Sequence, residues 1–540
     1  LALGAVALVL GLGEGTSRLL GLFPAPPGGS SLPYQSIALP LFTPAELADG
    51  RSVLATTDPR LPFQWIEAQK PAGERRIFFF GGSALAGLGH TPNVALPREL
   101  EELLEGLPGA EQLRIYNLGV VAFATRQLRA LVADVLAHGS PDLLVVYEAN
   151  NEFLELHSRA YARATGQAPS LASRLLGRSH LLRGLTGRHK LDRARLEASV
   201  STRSLAQNDA RVDHSAMIER IAIDPAEVEA VYAEYEANLH AIAAAAKTAG
   251  VPLLLCSVAS NWEWIGVAEK SAVERLGYGS GSDPQDAGGR QALLERIEAE
   301  IAAGQAGPKR RWELEYEAAR QLDALGQREA ANQRLRKALE IDPHCRRATP
   351  KHAEILRRVV TKSGCQLFDL AAWAEARGQG RVGFDIFYDY VHFTPLGIAE
   401  ATRALADRLF ELGLLEGLTR PAAWPNTANQ RAATGATPLD GLAVGEFLGF
   451  GSQPQRLSDR SLWKYDRTLD ELDAGLKANP EDYRQLCWRG NAAFFRSTGL
   501  ADAQRDYQAA AEAAASAQAS PEEQAAIADN LQRLNGARRP

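Results

Sequence analysis

From about residue 75 to residue 412 the chain alternates short apolar runs with amphipathic stretches. Ile77-Phe78-Phe79-Phe80 is an unbroken apolar run, as expected of a strand buried on both faces. Comparable runs predict strands over 114–118, 143–147, 251–258 and 366–370. Helical patterns lie between them over 96–104, 125–137, 227–249 and 353–360. A last helix opens at Thr394-Pro395, an N-cap followed by proline at the first helical position, and runs to about Leu412. Gly250 is placed to cap the long helix before it. Strands separated by helices imply parallel pairing through right-handed crossovers, hence an α/β domain over 75–415.

Two stretches break the alternation. Over 159–213 a basic run (Arg174, Arg178, Arg183, Arg188, Lys190, Arg193, Arg195, opposed by Asp192) interleaves with leucines. It reads as a solvated helical insertion; a lid, or a surface for anionic lipid or polysaccharide, is the sharper alternative. Over 265–345 a Gly/Ser/Asp loop leads into a helical pair expected across 311–341. There Ala319, Leu322, Gly326, Ala331, Leu335, Ala338 and Pro343 fall at the small/large spacing of a tetratricopeptide repeat. A similar spacing recurs at Thr468, Leu472, Gly475 and Pro480, then at Gly490, Ala503, Tyr507 and Ala510. This predicts a helical-repeat domain over 458–540, after a linker over 416–457 rich in Pro, Ala, Asn, Thr and Gly. Such helices ordinarily bind a partner protein.

The run Leu1 to Leu12 is apolar and uncharged up to Glu14, but shorter than the ~20 residues that span a bilayer. It is expected to be the tail of a signal anchor over 1–23, projecting away from the α/β domain, with Pro24 to Pro27 marking the exit. A buried amphipathic helix is the alternative, weakened by Gly4, Gly11, Gly13 and Gly15. Residues 24–74, rich in proline and turn formers, are expected to wrap the next domain. The protein is thus expected to be membrane-anchored and extracytoplasmic, on the periplasmic face. A net charge of −6 over 540 residues gives no reason to expect nucleic-acid binding. Cys256, Cys345, Cys365 and Cys487 show no Cys-x-x-Cys spacing, which argues against a zinc site or disulfide framework; Cys256 reads as inert core, and whether Cys345 and Cys365 pair stays open. No metal or other cofactor is expected.

Candidate chemistry collects at strand ends and helix entries: Gly81-Gly82-Ser83, Asn117-Leu118-Gly119, Ala149-Asn150-Asn151-Glu152, and Asp389-Tyr390-Val391-His392. Each block alone reads as a turn or a surface pair. Together and in this order they resemble the SGNH (GDSL-like) hydrolase family, over roughly residues 75–412, and within it the membrane-anchored subgroup that carries tetratricopeptide repeats. The resemblance implies a three-layer α/β/α, flavodoxin-like hydrolase domain. A serine hydroxyl is inert until a base takes its proton, and His392 is the candidate base for Ser83. Asp389 is spaced to hold the other imidazole nitrogen. The resemblance assigns the oxyanion to the backbone N–H groups of Ser83 and Gly119 and the side-chain amide of Asn151. Asn261, at the end of a parallel strand, is a candidate for lining the substrate pocket, and His90 is expected to be structural. The chain departs from the family pattern at Ala149 and Glu152, where glycine and aspartate are usual, and at Gly82, where aspartate is common. The implied activity is serine-dependent hydrolysis of an acyl ester outside the cytoplasm, with a polysaccharide O-acetyl group fitting a tethered enzyme better than a soluble lipid. An O-acyltransferase with the same triad and a non-catalytic repeat-bearing scaffold are the alternatives.

Overall fold

The computed structural model describes residues 11–17, 19, 39–46, 51–56, 61, 64–87, 95–164, 179, 181, 223–264, 273, 276–279, 284–387, 389–425, 473, 476–477, 480–495, 500–519 and 521–537. Residues 1–10, His90, residues 426–457 of the linker and, apart from 159–164, 179 and 181, the basic run lie outside the described residues.

The elements, in chain order, begin with β1 (Phe42–Glu46), β2 (Ser52–Thr56) and β3 (Trp65–Ile66), an antiparallel sheet in that order. The main sheet has five parallel strands: β4 (Arg75–Gly81), β5 (Leu113–Gly119), β6 (Leu143–Tyr147), β7 (Leu253–Cys256) and β8 (Gln366–Phe368). Their spatial order is β5-β4-β6-β7-β8. Numbered from the first of these strands the order is 2-1-3-4-5, a doubly wound arrangement. The helices are α1 (Ser83–Ala86), α2 (Leu96–Leu104), α3 (Thr125–His138), α4 (Leu154–Ala164), α5 (Pro225–Ala249), α6 (Ala287–Ala303), α7 (Pro308–Ala324), α8 (Arg328–Glu340), α9 (Pro350–Ser363), α10 (Leu370–Arg377) and α11 (Pro395–Glu411). Right-handed crossovers put α2 and α11, which pack together, on one face, and α5, with α3 and α9 each packed against it, on the other.

The centre of the sheet follows from its sequence. Phe78, Phe79 and Phe80 of β4 are each at most 1% exposed, so side chains on both faces of this strand are buried. Phe78 stacks on Tyr116 at 4.6 Å between centroids, and Phe42 of the small sheet meets both edge-on. Burying each such ring stabilises the fold by about 2–3 kcal/mol. The small sheet also protects an edge: Gln64 exchanges hydrogen bonds with the backbone of Asn117 on β5, donating at 2.8 Å and accepting at 2.7 Å.

Among its described residues the 265–345 insertion holds three helices, α6 to α8, where the sequence pattern predicted two. Asp286 caps the extra helix, α6, by accepting from Gly289 N–H at 2.8 Å. Ala319, Ala331 and Ala338 are buried, as close approach of α7 and α8 requires, and Gly326 turns the chain between them at φ +76°. Three further helices, α12 (Tyr483–Phe495), α13 (Leu500–Ser516) and α14 (Pro521–Ala537), enclose a core of their own. A Cβ on Gly490 would stand 2.6 Å from the Tyr507 ring, so the glycine is what lets α12 and α13 approach. None of the four cysteines forms a disulfide. Among the described residues no helix is long and apolar enough to cross a membrane. Of the opening apolar run only Gly11 and Leu12 are described; they lie in helical residues 11–17, and Leu12 is exposed.

Candidate active site

Strand β4 stops where side chains no longer fit. A Cβ on Gly81 would lie 2.5 Å from the Tyr147 carbonyl oxygen, and one on Gly82 would lie 2.2 Å from both Asn151 Nδ2 and Glu148 Oε2. The chain turns into α1, closed after one turn by Gly87 at φ +76°, and Ser83 is its first residue. The Ser83 amide thereby belongs to the helix-start N–H groups that have no intrahelical acceptor.

At the other end of the domain, Thr394 accepts from Gly397 N–H at 3.1 Å and starts α11. The loop entering that cap carries Asp389 and His392. His392 Nε2 lies 2.9 Å from Ser83 Oγ, and His392 Nδ1 lies 2.8 Å from Asp389 Oδ2. Asp389 Oδ1 accepts from the N–H groups of Val391 and His392, both at 2.8 Å. Burial works to raise the Asp389 carboxyl. The charge and hydrogen bond of His392 and these two amides outweigh it, holding the group below its ordinary range. A carboxylate fixed at one oxygen and facing an imidazole with the other selects the tautomer whose Nε2 can accept a proton from Ser83.

The three oxyanion candidates are placed differently. Asn151 Nδ2 donates one hydrogen to Phe123 O at 2.8 Å; an amide carries two, and the second is available beside Gly82. Gly119 N–H donates to Asn117 Oδ1 at 2.9 Å, so its one hydrogen is engaged within its own strand. A Cβ on Gly119 would meet Ala86 N at 2.5 Å, which makes this glycine the seat on which α1 rests. Ala149 is buried in the core.

Asn261 is fully buried beneath the Asp389–His392 loop. Its Nδ2 donates to Asp389 O at 2.9 Å, its N–H to Tyr390 O at 2.9 Å, and its Oδ1 accepts from Glu263 N–H at 3.0 Å. The side-chain oxygen and one amide hydrogen are engaged by the chain itself, so Asn261 supports the acid–base loop. Buried Arg347 donates to Asn261 O from the segment that leaves α8. In the same segment Ala348 N–H donates to Asn150 Oδ1 at 3.0 Å, and Ala348 O accepts from Ser260 Oγ at 3.3 Å. The helical insertion therefore ends by lacing together the strand ends that bear the site. Sequence reasoning passed over Arg347, Glu148 and the half-buried pair Trp264 and Tyr390, whose rings meet at a tilt, 4.8 Å between centroids, beside His392. The nearest signal was Glu148-Ala149-Asn150-Asn151-Glu152, a pair of acids bracketing a strand-end turn.

Glu152 caps α3 from the neighbouring strand, accepting from Thr125 N–H at 2.8 Å and meeting Thr125 Oγ1 at 3.1 Å. Burial pushes its carboxyl up to about 7 from an ordinary value of 4.5. A carboxyl that holds its proton more tightly when folded contributes stability that is full below the unfolded value and is lost as pH rises through the folded one. Glu152→Gln keeps the acceptor for Thr125 N–H and has no proton to lose. Its melting temperature should match the wild type near pH 4.5 and exceed it above pH 7; equal melting curves at pH 8 would refute the assignment.

No family profile matches the chain, and no curated protein matches it. Among solved structures it is similar to an acetyl xylan esterase at 12% identity, over 62% of this chain and 98% of that one, with a TM-score of 0.28. It is similar to an acetylxylan esterase from Geobacillus stearothermophilus at 13% identity, over 65% of this chain and all of the other, with a TM-score of 0.28. A protein from Bacillus subtilis aligns at 10% identity over 68% of each chain, with a TM-score of 0.31. At these scores the likeness carries no argument; the α/β class rests on the strand order and the site on its own distances.

Proposed function

We propose that the chain is a serine-dependent ester hydrolase of SGNH type, built on a flavodoxin-like domain. The observation that carries this reading is the continuous run of hydrogen bonds from Ser83 Oγ through His392 to Asp389, joining residues more than 300 positions apart in sequence. In the proposed mechanism His392 takes the hydroxyl proton as Ser83 attacks the acyl carbon. The Ser83 amide and the second hydrogen of Asn151 Nδ2 hold the resulting oxyanion, and His392 then protonates the leaving alcohol. Gly119 joins them only if Asn117 gives up its N–H. The acyl group we favour is an O-acetyl on a polysaccharide, with the protein tethered at the periplasmic face of a membrane by its apolar N-terminal run. The buried alanines of α7 and α8 and the Gly490–Tyr507 contact support a repeat-type reading of the helical parts, whose outer faces would receive a partner protein.

The test is labelling with a fluorophosphonate together with steady-state hydrolysis of p-nitrophenyl acetate and of acetylated glycans. The wild type should label at one site and turn over the short ester. Asn151→Ala should lower kcat by about 10²–10³-fold and leave KM nearly unchanged, because it removes a donor needed only once the oxyanion forms. A wild type inert toward the fluorophosphonate and every ester would overturn the proposal.

A further inference from the structure

Glu148 has no part in the proposed chemistry, yet it lies directly beneath it. It follows β6 and is 4% exposed. Its Oε1 accepts from Asn151 N–H at 2.8 Å, and the amides of Gly82 and Asn150 lie near enough to the carboxyl to favour its charged form. Oε2 and Asn151 Nδ2 converge on the space a Gly82 side chain would fill, each 2.2 Å from the Cβ it lacks. Gly82 belongs to the turn after β4 and Asn151 to the turn after β6. One buried carboxyl thus spans the two turns, and each turn carries one of the donors available to an oxyanion.

We propose that Glu148 is a positioning residue for the oxyanion site, fixing the Ser83 turn against the Asn151 turn so that both donors converge on one oxygen. The proposal rests on the hydrolase reading and adds a residue outside the four motif blocks. Two donors on separate strands need a common reference, since a hydrogen bond weakens steeply as its angle opens. Backbone amides gathered on one side chain provide it more firmly than strand pairing, which ends at Gly81 and Tyr147. The charge is also managed: a carboxylate here would oppose the developing oxyanion. Burial and the neighbouring Glu152 push the Glu148 carboxyl well above its ordinary range, the direction that lessens this opposition.

The experiment is Glu148→Gln, alone and combined with Asn151→Ala, in the full chain, read as kcat and KM on p-nitrophenyl acetate beside thermal melting. Glutamine keeps the size but turns an NH2 group toward N–H donors. Expected is a fall in kcat of about 10–100-fold with KM and melting temperature nearly unchanged. In the Asn151→Ala background the same change should cost much less, because the donor it aims is already gone. Wild-type kcat in E148Q, a loss that multiplies in full on Asn151→Ala, or a loss that only tracks the unfolded fraction overturns the proposal. If E148Q does not fold, Gly82→Ala probes the same joint from the other strand, and wild-type kcat there overturns it equally. A wild type that neither labels nor turns over ends the hydrolase reading and this inference together, whereas an active wild type with an indifferent E148Q ends the inference alone.

Discussion

Ser83→Ala is expected to abolish fluorophosphonate labelling and to lower ester turnover by at least about 10⁴-fold, leaving the melting temperature near that of the wild type. The substitution removes one oxygen, hydrogen-bonded to His392 Nε2 at 2.9 Å, and alanine suits the first turn of a helix. The loss is therefore chemical and not structural. Purified wild type and variant compared on p-nitrophenyl acetate decide the matter. Retention of more than a trace of activity by the variant would mean that another group attacks the ester.

Asp389→Asn should cost about 10⁴-fold in kcat, although it changes neither size nor hydrogen-bond count. The reason lies in the two amides of Val391 and His392 that point at Asp389 Oδ1. An asparagine must turn its carbonyl oxygen toward them, because its NH2 group cannot accept. That places the NH2 against His392 Nδ1, which must then be the acceptor. The ring proton is driven to Nε2, where it faces Ser83 Oγ and cannot take the hydroxyl proton. Raising the pH should not restore activity, since the fault is a tautomer and not a charge. A variant within tenfold of the wild type between pH 6 and 9 would show that Asp389 does not govern the imidazole.

Strongly patterned elements were legible in the sequence. The helix Leu96–Leu104 and the strand Leu143–Tyr147 fall where periodicity put them, because local pattern and tertiary burial agree there. The small antiparallel sheet was hidden by its composition, with Pro44 inside β1 disguising a strand whose partners lie in the same turn-rich stretch. Helix α6 was hidden by Gly288 and Gly289, which read as loop although Asp286 before them is a sound cap. At the site, Ser83, Asn151, Asp389 and His392 could be singled out because each sits in a short recognisable block. Glu148 could not, since its meaning depends on Gly82 meeting it across two strands. Asn261 was visible as a strand-end residue, but which way it faced depended on a loop more than a hundred positions later.

The hydrogen bond between Ser83 and His392 closes a separation of 309 residues. At a synthesis rate of about 5–20 residues per second, the serine turn waits roughly 15–60 s for its base to be made. During that interval β4, β5 and β6 can pair and the Asn151 turn can settle, but the hydroxyl has no imidazole to activate it. On the hydrolase reading, connectivity alone keeps the nascent chain chemically silent. A chain interrupted anywhere before Asp389 would carry an assembled serine turn with no reactivity, so an incomplete product could not attack esters at the wrong place.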